Sequence, residues 1–330
     1  MDQFAQPRLK MADVARIAGV SVATVSRALA GSPLVSEETR ARIEAAVRDT
    51  GYVVNQVASG LRLQRSRQIL VLLPDIANPF FGEVVLGIEE EAQRQGFGVL
   101  IGNTARNPER EAALARQFQT GAVDGLVLLT GHKPPGIPPT RLVGVSEHIA
   151  DPAIAVVSID NRAAAREAVT YLLALGHRKV AHIGGPTGNI LTQQRHAGFL
   201  DALGGDADPA LVQFGDYSIA SGEAAMHALL PAQPTAVFCS NDEMAIGAIR
   251  AARASGLHVP HELSVVGFDD IPFAGAYDPP LTTIRQPRRD MGRVAARVLL
   301  AALDDQDMPR PAVLPHTLIV RASTGPADGK

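Results

Sequence analysis

From residue 68 to the end of the chain, short runs of Val, Ile and Leu alternate with longer segments whose apolar positions recur every three or four residues. The runs lie at 69–73, 98–101, 125–129, 142–145, 155–159, 180–183, 236–239 and 263–268. Each is continuous rather than alternating and is bounded by turn residues. That pattern predicts strands covered on both faces, as in parallel sheets. Helical periodicity occupies the intervals at 83–95, 109–119, 162–175, 222–230, 242–255 and 290–303. Repeated strand–helix units predict doubly wound α/β domains. Roughly 260 residues of this pattern favour two lobes over one sheet. Ligands then bind at the carboxyl ends of strands or in the cleft between lobes.

The first fifty residues read differently. Residues 11–52 predict three short helices, and residues 53–67 are polar and basic with no core period, as in a linker. In the first helix, predicted over 12–18, Val14, Ile17 and Ala18 form an apolar stripe and Asp13 suits the positive end of the helix dipole. Gly19 supplies a tight turn, and Ser21 is a suitable N-cap for a second helix over 22–30. Val25 and Leu29 face inward there, leaving Val22, Ala23, Ser26 and Arg27 outside. Ser36 caps the third helix, which turns Ile43, Ala46 and Val47 inward. Two helices joined by a glycine turn and braced by a third make a helix-turn-helix, whose second helix enters the major groove. Arg27 can donate two bonds to guanine O6 and N7. Val22 and Ala23 offer apolar contacts, and Ser21, Thr24, Ser26, Ser36 and Thr39 suit phosphates. An ordinary three-helix bundle has the same apolar spacing, so spacing alone leaves both readings open.

Charge sharpens the division. Residues 1–67 carry ten Lys/Arg against six Asp/Glu, while the remainder carries 21 against 28. A small basic head on an acidic body suggests that the head alone meets a polyanion. The sole cysteine, Cys239, gives neither an internal disulfide nor a metal cluster and fits a reducing cytoplasm. No apolar run, that at 69–73 included, is long enough to span a membrane, and no signal-peptide core precedes the basic head. No phosphate-loop, dinucleotide or nucleophile-elbow sequence occurs, and no metal-ligand spacing, so no catalytic residue or cofactor is expected. The glycine-rich stretch 184–188 reads as a turn at the cleft, and His177 and His182 as packing or surface residues.

The segment from Asp13 to Leu29, DVARIAGVSVATVSRAL, resembles the DNA-binding signature of the lactose/galactose repressor family. Residues 35–40, VSEETR, and Gly51-Tyr52 match as well, and the likeness extends over essentially the whole chain. Lys10 stands where that family often has a capping Thr, and Ala30 where it often has Asn, so two customary contacts do not carry over. The resemblance implies a head at 1–53, a hinge helix at 54–67 and a two-lobed periplasmic-binding-protein-like body at 68–330. Lobe one would comprise 68–160 with 288–318, and lobe two 163–286 with 319–330. In the hinge, Asn55, Ala58, Leu61 and Arg62 match positions that fold on operator DNA in pairs across a dimer. Leu61 would wedge between base pairs in the minor groove; without the family it reads as a plain linker residue.

In the body, PDIANPFF follows the first strand. The resemblance implies that Asn78, Phe80 and Phe81 serve a ligand, with a ring stacked upon it, whereas composition alone leaves the Phe pair open between core and ligand readings. Arg195, Asn241 and Asp269 match effector-binding positions, and Asp160 and Tyr217 are weaker candidates. Asp242 reads as a helix N-cap. Within the family the body is most similar to cytidine-responsive, nucleoside-binding members. The resemblance thus implies a cytoplasmic homodimer on roughly palindromic double-stranded DNA, governed by a nucleoside or a sugar. A soluble sugar-binding protein without DNA activity is the competing reading, and the basic head speaks against it.

Overall fold

Three helices open the chain, and local chemistry sets their ends. α1 (Met11–Ala18) has Lys10 at its N-cap, a side chain that cannot accept a bond. Instead the Asp13 carboxylate accepts from the Lys10 amide at 3.0 Å. Gly19, at φ 64°, ends the helix in the left-handed region, where a side chain would be strained. Ser21 Oγ accepts from the Thr24 amide at 3.1 Å and starts α2 (Val22–Leu29). Ser36 does the same for α3 (Glu37–Thr50), accepting from Thr39 at 3.3 Å, with Glu37 and Glu38 in the first turn. Val14, Ala15, Ala18, Val25, Ala28, Val35, Ile43 and Ala46 form the core. Arg42 reaches the Ala18 carbonyl and Arg40 the carbonyls of Ala28 and Ser32, tying α3 to the ends of the other two helices. Ile17 departs from expectation. It is 51% exposed, because Ala15 rather than Ile17 completes the buried stripe of α1.

The structure is a computed structural model describing residues 10–29, 32–52, 65–304, 306 and 313–327. Residues 1–66 and 67–330 form two separate compact units. Asn55, Ala58, Leu61 and Arg62, and the hinge helix predicted around them, lie outside the described residues, as does Ala30.

The second unit is built on two six-stranded sheets. The first holds β1 (Gln68–Leu73), β2 (Gly98–Asn103), β3 (Gly125–Leu128), β4 (Leu142–Val145), β5 (Ala155–Ile159) and β11 (Val313–Leu314), in the order β11-β5-β4-β3-β1-β2. The second holds β6 (Val180–Gly184), β7 (Val212–Phe214), β8 (Ala236–Cys239), β9 (Ser264–Asp269), β10 (Thr282–Arg285) and β12 (Thr317–Ile319), in the order β12-β10-β9-β8-β6-β7. All pairings are parallel except that of β12 with β10. Crossover helices cover the faces: α4 (Pro79–Arg94), α5 (Pro108–Gln119), α6 (Asn161–Ala174), α7 (Ile190–Leu203), α8 (Ile219–Leu229), α9 (Asp242–Ala254) and α11 (Arg288–Leu303), with a short α10 (Pro272–Ala276) after β9.

The central strands β1, β3, β4, β8 and β9 are buried almost throughout, which explains their unbroken apolar runs. Within lobe one, α4 and α11 press together at Gly87 and Gly292. A Cβ on Gly87 would lie 2.0 Å from the Arg289 carbonyl oxygen, and one on Gly292 would lie 2.1 Å from that of Val84. The chain passes between lobes three times: after β5, after β10 and between β11 and β12. The last passage precedes Thr317, which pairs with Arg285, so Thr317 and Leu318 belong to the second sheet and not to lobe one as the sequence suggested.

Each sheet reverses its winding between its first and third strands in chain order, β1/β3 and β6/β8. At such a switch point the loops leave in opposite directions and open a crevice at the carboxyl ends. A cavity lies there.

Candidate functional site

A cavity of about 420 Å³ opens between the carboxyl ends of the two sheets, lined from both lobes. Its lobe-one wall begins where β1 ends. Asn78 caps α4, its Oδ1 accepting from the Phe80 amide at 2.9 Å, and Pro79 occupies the first turn. That cap sets the two rings that follow. Phe80 is buried in the lobe core and Phe81 half-buried, edge to face with centroids 5.3 Å apart, and both line the cavity. Phe80 is therefore both core and lining, the two readings that composition had left open.

The lobe-two wall carries the polar groups. Arg195 projects from α7 and is 3% exposed. Its Nε donates to Asn161 Oδ1 at 2.9 Å, its Nη1 donates to the Ser240 carbonyl, and its plane lies 3.8 Å above the Phe268 ring. Asp269 ends β9 at φ 115°, with Oδ1 accepting from Gln286 Nε2 at 2.7 Å and lying 3.9 Å from Arg195 Nη1. Burial drives its carboxyl up to about 6, against the opposing pull of Arg195 and Gln286. Asn241 caps α9, accepting from the Met244 amide at 3.0 Å and donating to the Tyr217 carbonyl at 2.9 Å. Tyr217 stands at φ 72°, its hydroxyl bonded to Thr192 Oγ1 at 2.8 Å and to Asn189 Oδ1 at 3.2 Å. Burial pushes the phenol up to about 12, so it remains a neutral hydrogen-bonding group.

Two expectations need correction. Asp160 does not line the cavity; it is exposed and caps α6, its Oδ1 accepting from the Ala163 amide at 2.9 Å. Asp242 is not the cap of α9, since Asn241 takes that place. It lies fully buried inside the helix start, accepting from Thr283 Oγ1 at 2.5 Å and from the Ile271 amide at 2.8 Å. Burial, with Asp269 nearby, holds its carboxyl well above the usual range. It ties the loop after β9 to β10.

The cavity also takes in residues that the sequence pattern did not single out. Glu147 follows β4 and accepts from Asn189 Nδ2 at 3.0 and 3.1 Å, a bond between lobes. Glu111 comes from α5 and accepts from Thr130 Oγ1 at 2.7 Å. Thr104, 1% exposed, follows β2. Glu147 and Thr104 carry the same signal that found Asn241 and Asp269, a polar residue just past a strand. Glu111 carries none. Among the described residues no cluster of His, Cys, Asp and Glu could hold a metal ion, and no helix is long and apolar enough to cross a membrane.

In the head, Val22, Ala23 and Arg27 are exposed on α2 and Ser26 is half-exposed. The Arg27 guanidinium has no hydrogen-bond partner among the described residues. Ser21 and Thr24 bond each other's hydroxyls at 2.8 Å, and Ser36 donates to Thr39 Oγ1 at 2.9 Å, so these pairs share one surface apiece.

The family model of the bacterial regulatory proteins of the lacI family matches residues 10–55, and that of the periplasmic binding protein-like domain matches residues 169–324. The HTH-type transcriptional repressor CytR of Escherichia coli K12 is 40% identical, over 95% of this chain and 96% of its own length. The HTH-type transcriptional regulator MalR of Streptomyces coelicolor is 37% identical, over 97% and 98%. Among solved structures, the lac repressor dimer bound to operator and the anti-inducer ONPF superposes with a TM-score of 0.85 at 29% identity, covering 97% of this chain and all of that one. A complex of the transcriptional regulator CelR with cellobiose gives 0.71 at 32% identity, covering 96% of this chain and all of that one. With a helix-turn-helix head, a two-lobed ligand-binding body and full-length relatives that are repressors rather than enzymes, this chain belongs to the lacI family of DNA-binding transcription regulators.

Proposed function

We propose that two copies of this chain bind a roughly palindromic operator and that a nucleoside or sugar in the interlobe cavity controls the affinity. The observation that carries this reading is the cavity's composition: rings from one lobe face Arg195, Asn241 and Asp269 from the other. Rings cover the apolar face of a sugar, and carboxylate, guanidinium and amide groups bond its hydroxyls. Asn78, Phe80, Phe81, Arg195, Tyr217, Asn241 and Asp269 are the contacts we assign. On the DNA side we assign Arg27 to a guanine, Val22 and Ala23 to thymine methyls, and Ser21, Thr24, Ser26, Ser36 and Thr39 to phosphates, with Asn55, Ala58, Leu61 and Arg62 at the hinge. We take head, hinge and body to divide as the sequence suggested, save at Thr317 and Leu318, and assign the protein to the cytoplasm, on the nucleoid.

Dimerisation is supported by lobe one. Among the described residues its edge strand β2 has one unpaired side, and Leu100 and Ile101 on that strand are exposed, as is Leu86 on the adjoining α4. A long apolar edge invites pairing, and a second copy of the chain covers it. Two heads then occupy major grooves about 34 Å apart.

The test joins both activities in one preparation. Nucleosides, pentoses and hexoses are screened by thermal shift, where a ligand at about 100 times its Kd adds about 2.7 kcal/mol. The same ligands are then titrated into an operator complex isolated by selection from random duplexes. The reading requires salt-steep DNA binding and at least one ligand that both stabilises the protein and alters operator affinity. A sugar-binding protein without DNA activity would show the shift and no DNA binding. Light scattering showing a monomer on operator would remove the dimer.

A further inference from the structure

The charges around the cavity are unequal in their freedom. Two cations line it, Arg195 and Arg106. Arg195 is already bonded through Nε and Nη1 and paired with Asp269 at 3.9 Å. Arg106, at the exposed rim, lies in the fields of Asp216 and Glu243. Each cation therefore has carboxylate company before any ligand arrives.

Two carboxylates in the lining, Glu111 and Glu147, have no Arg or Lys at ion-pair distance among the described residues. Glu111 is 6% exposed, and its carboxylate meets the Thr130 hydroxyl and, at 3.8 Å, His132. Glu147 accepts from the Asn189 amide and lies in the more distant field of Arg195. Beside them Thr104 Oγ1 is buried in the lining without a hydrogen-bond partner among the described residues. Two carboxylates and an unsatisfied hydroxyl make this part of the wall rich in acceptors. Such a wall bonds hydroxyl and amino hydrogens well and meets a phosphate badly. A phosphate monoester brings a charge of about −1.5 to −2 near neutral pH and only acceptor oxygens. Size does not make the distinction, since about 420 Å³ lies within the range of small-molecule sites.

We propose that Glu111 and Glu147 make this cavity selective for unphosphorylated ligands, admitting a neutral nucleoside or sugar and rejecting its phosphate monoester. The inference rests on the nucleoside-or-sugar reading above and narrows it. It places the effector with compounds taken up or released as free nucleosides and sugars, ahead of any kinase step.

The experiment is calorimetric titration of the full-length protein with matched pairs: cytidine and cytidine 5′-monophosphate, adenosine and its 5′-monophosphate, ribose and ribose 5-phosphate. In at least one pair the neutral member is expected to bind at least about tenfold more tightly, the scale set by like charges brought together. Glu147→Gln keeps the shape and the bond from Asn189 while removing the charge, and should narrow that ratio several-fold; Glu111→Gln should do the same. Melting curves of the ligand-free variants confirm folding, and either variant suffices if the other fails. A phosphorylated member that binds as tightly as its partner overturns the charge selection and leaves the effector reading intact. Binding by neither member of any pair overturns the selection, and if no hexose binds in the thermal-shift screen the effector reading falls with it. An unchanged ratio in both variants overturns the assignment to Glu111 and Glu147.

Discussion

At the scale of single residues, the head reads DNA through few groups. Arg27 is the one side chain exposed on α2 able to make a bidentate contact with a base, since Val22 and Ala23 carry no polar atoms. Arg27→Ala should therefore weaken operator binding by roughly 1–3 kcal/mol and relax preference at one base position per half-site. A base-by-base operator scan measures this; a uniform loss at every position would instead make Arg27 a phosphate contact. In the body, His182 offers a test of a different kind. It is fully buried, stacked between Phe199 and Phe238 with His196 beside it, and Nδ1 bonds the Phe238 carbonyl at 3.0 Å. Burial drives its pKa from 6.5 down to about 3. The unfolded chain thus binds a proton below about 6.5 that the folded chain refuses. The stability that neutral His182 maintains is complete above that pH and is lost as pH falls from 6.5 towards 3, at up to about 1.4 kcal/mol per unit. His182→Phe suits the aromatic neighbours and removes this contribution. Its melting temperature should fall less steeply than the native protein's between about pH 6.5 and 4.5.

Helices and strands set a second scale, at which packing rather than chemistry decides. Gly87→Ala places a methyl against the backbone of α11, 2.0 Å from the Arg289 oxygen, so α4 and α11 must separate. Overpacking of this kind costs roughly 1–3 kcal/mol or more. Gly82, five residues earlier on the same helix, is exposed, and a methyl added there would meet nothing within 4 Å, so Gly82→Ala should stabilise by up to about 1 kcal/mol. Urea denaturation of the two variants should move in opposite directions; equal shifts would mean that helix propensity alone governs α4. Packing also decides which elements are legible in the sequence. The buried parallel strands β1, β3, β8 and β9 stand out because both faces are covered, leaving unbroken apolar runs. β10 does not, because Thr282 and Thr283 are buried by bonding Ser323, Arg321 and Asp242, and a strand satisfied by polar partners has no apolar run. The polar positions after β8 and β9 announce Asn241 and Asp269. The same signal misplaces Asp160, since a strand-end carboxylate is as useful for capping the next helix as for meeting a ligand. Glu111 sits in the first turn of a helix, several residues past the strand end, and only the fold turns it towards the cavity.

Across the whole body, the lobes are joined at the cavity mouth by two amide–carboxylate bonds: Asn78 to Glu243 at 2.8 Å and Asn189 to Glu147 at 3.0 Å. Asn78, Asn189 and Glu147 line the cavity, so a ligand must share or displace these bonds, which couples occupancy to lobe geometry. Glu243 stands just outside the lining and reports on closure. Burial in the closed cleft, with Asp269, Asp75 and Asp216 nearby, raises its carboxyl from 4.5 to about 6. Separation of the lobes returns it towards solvent and away from Asp75, which lowers it again, while Asp269 and Asp216 move with it. The closed form accordingly holds a proton more tightly than the open one, and proton binding favours closure by linkage. Acidification from about pH 7 to 5 should shift the ligand-free body towards the compact form, read as a fall in the radius of gyration by small-angle scattering. Asp269, also raised to about 6 by burial, contributes in the same direction. Glu243→Gln retains an oxygen for Asn78 to bond but cannot titrate, so it should flatten the pH dependence and leave only the part due to Asp269. A variant that follows the native curve would mean that Glu243 keeps its environment as the lobes move, and that closure turns on the Asn189–Glu147 side of the mouth instead.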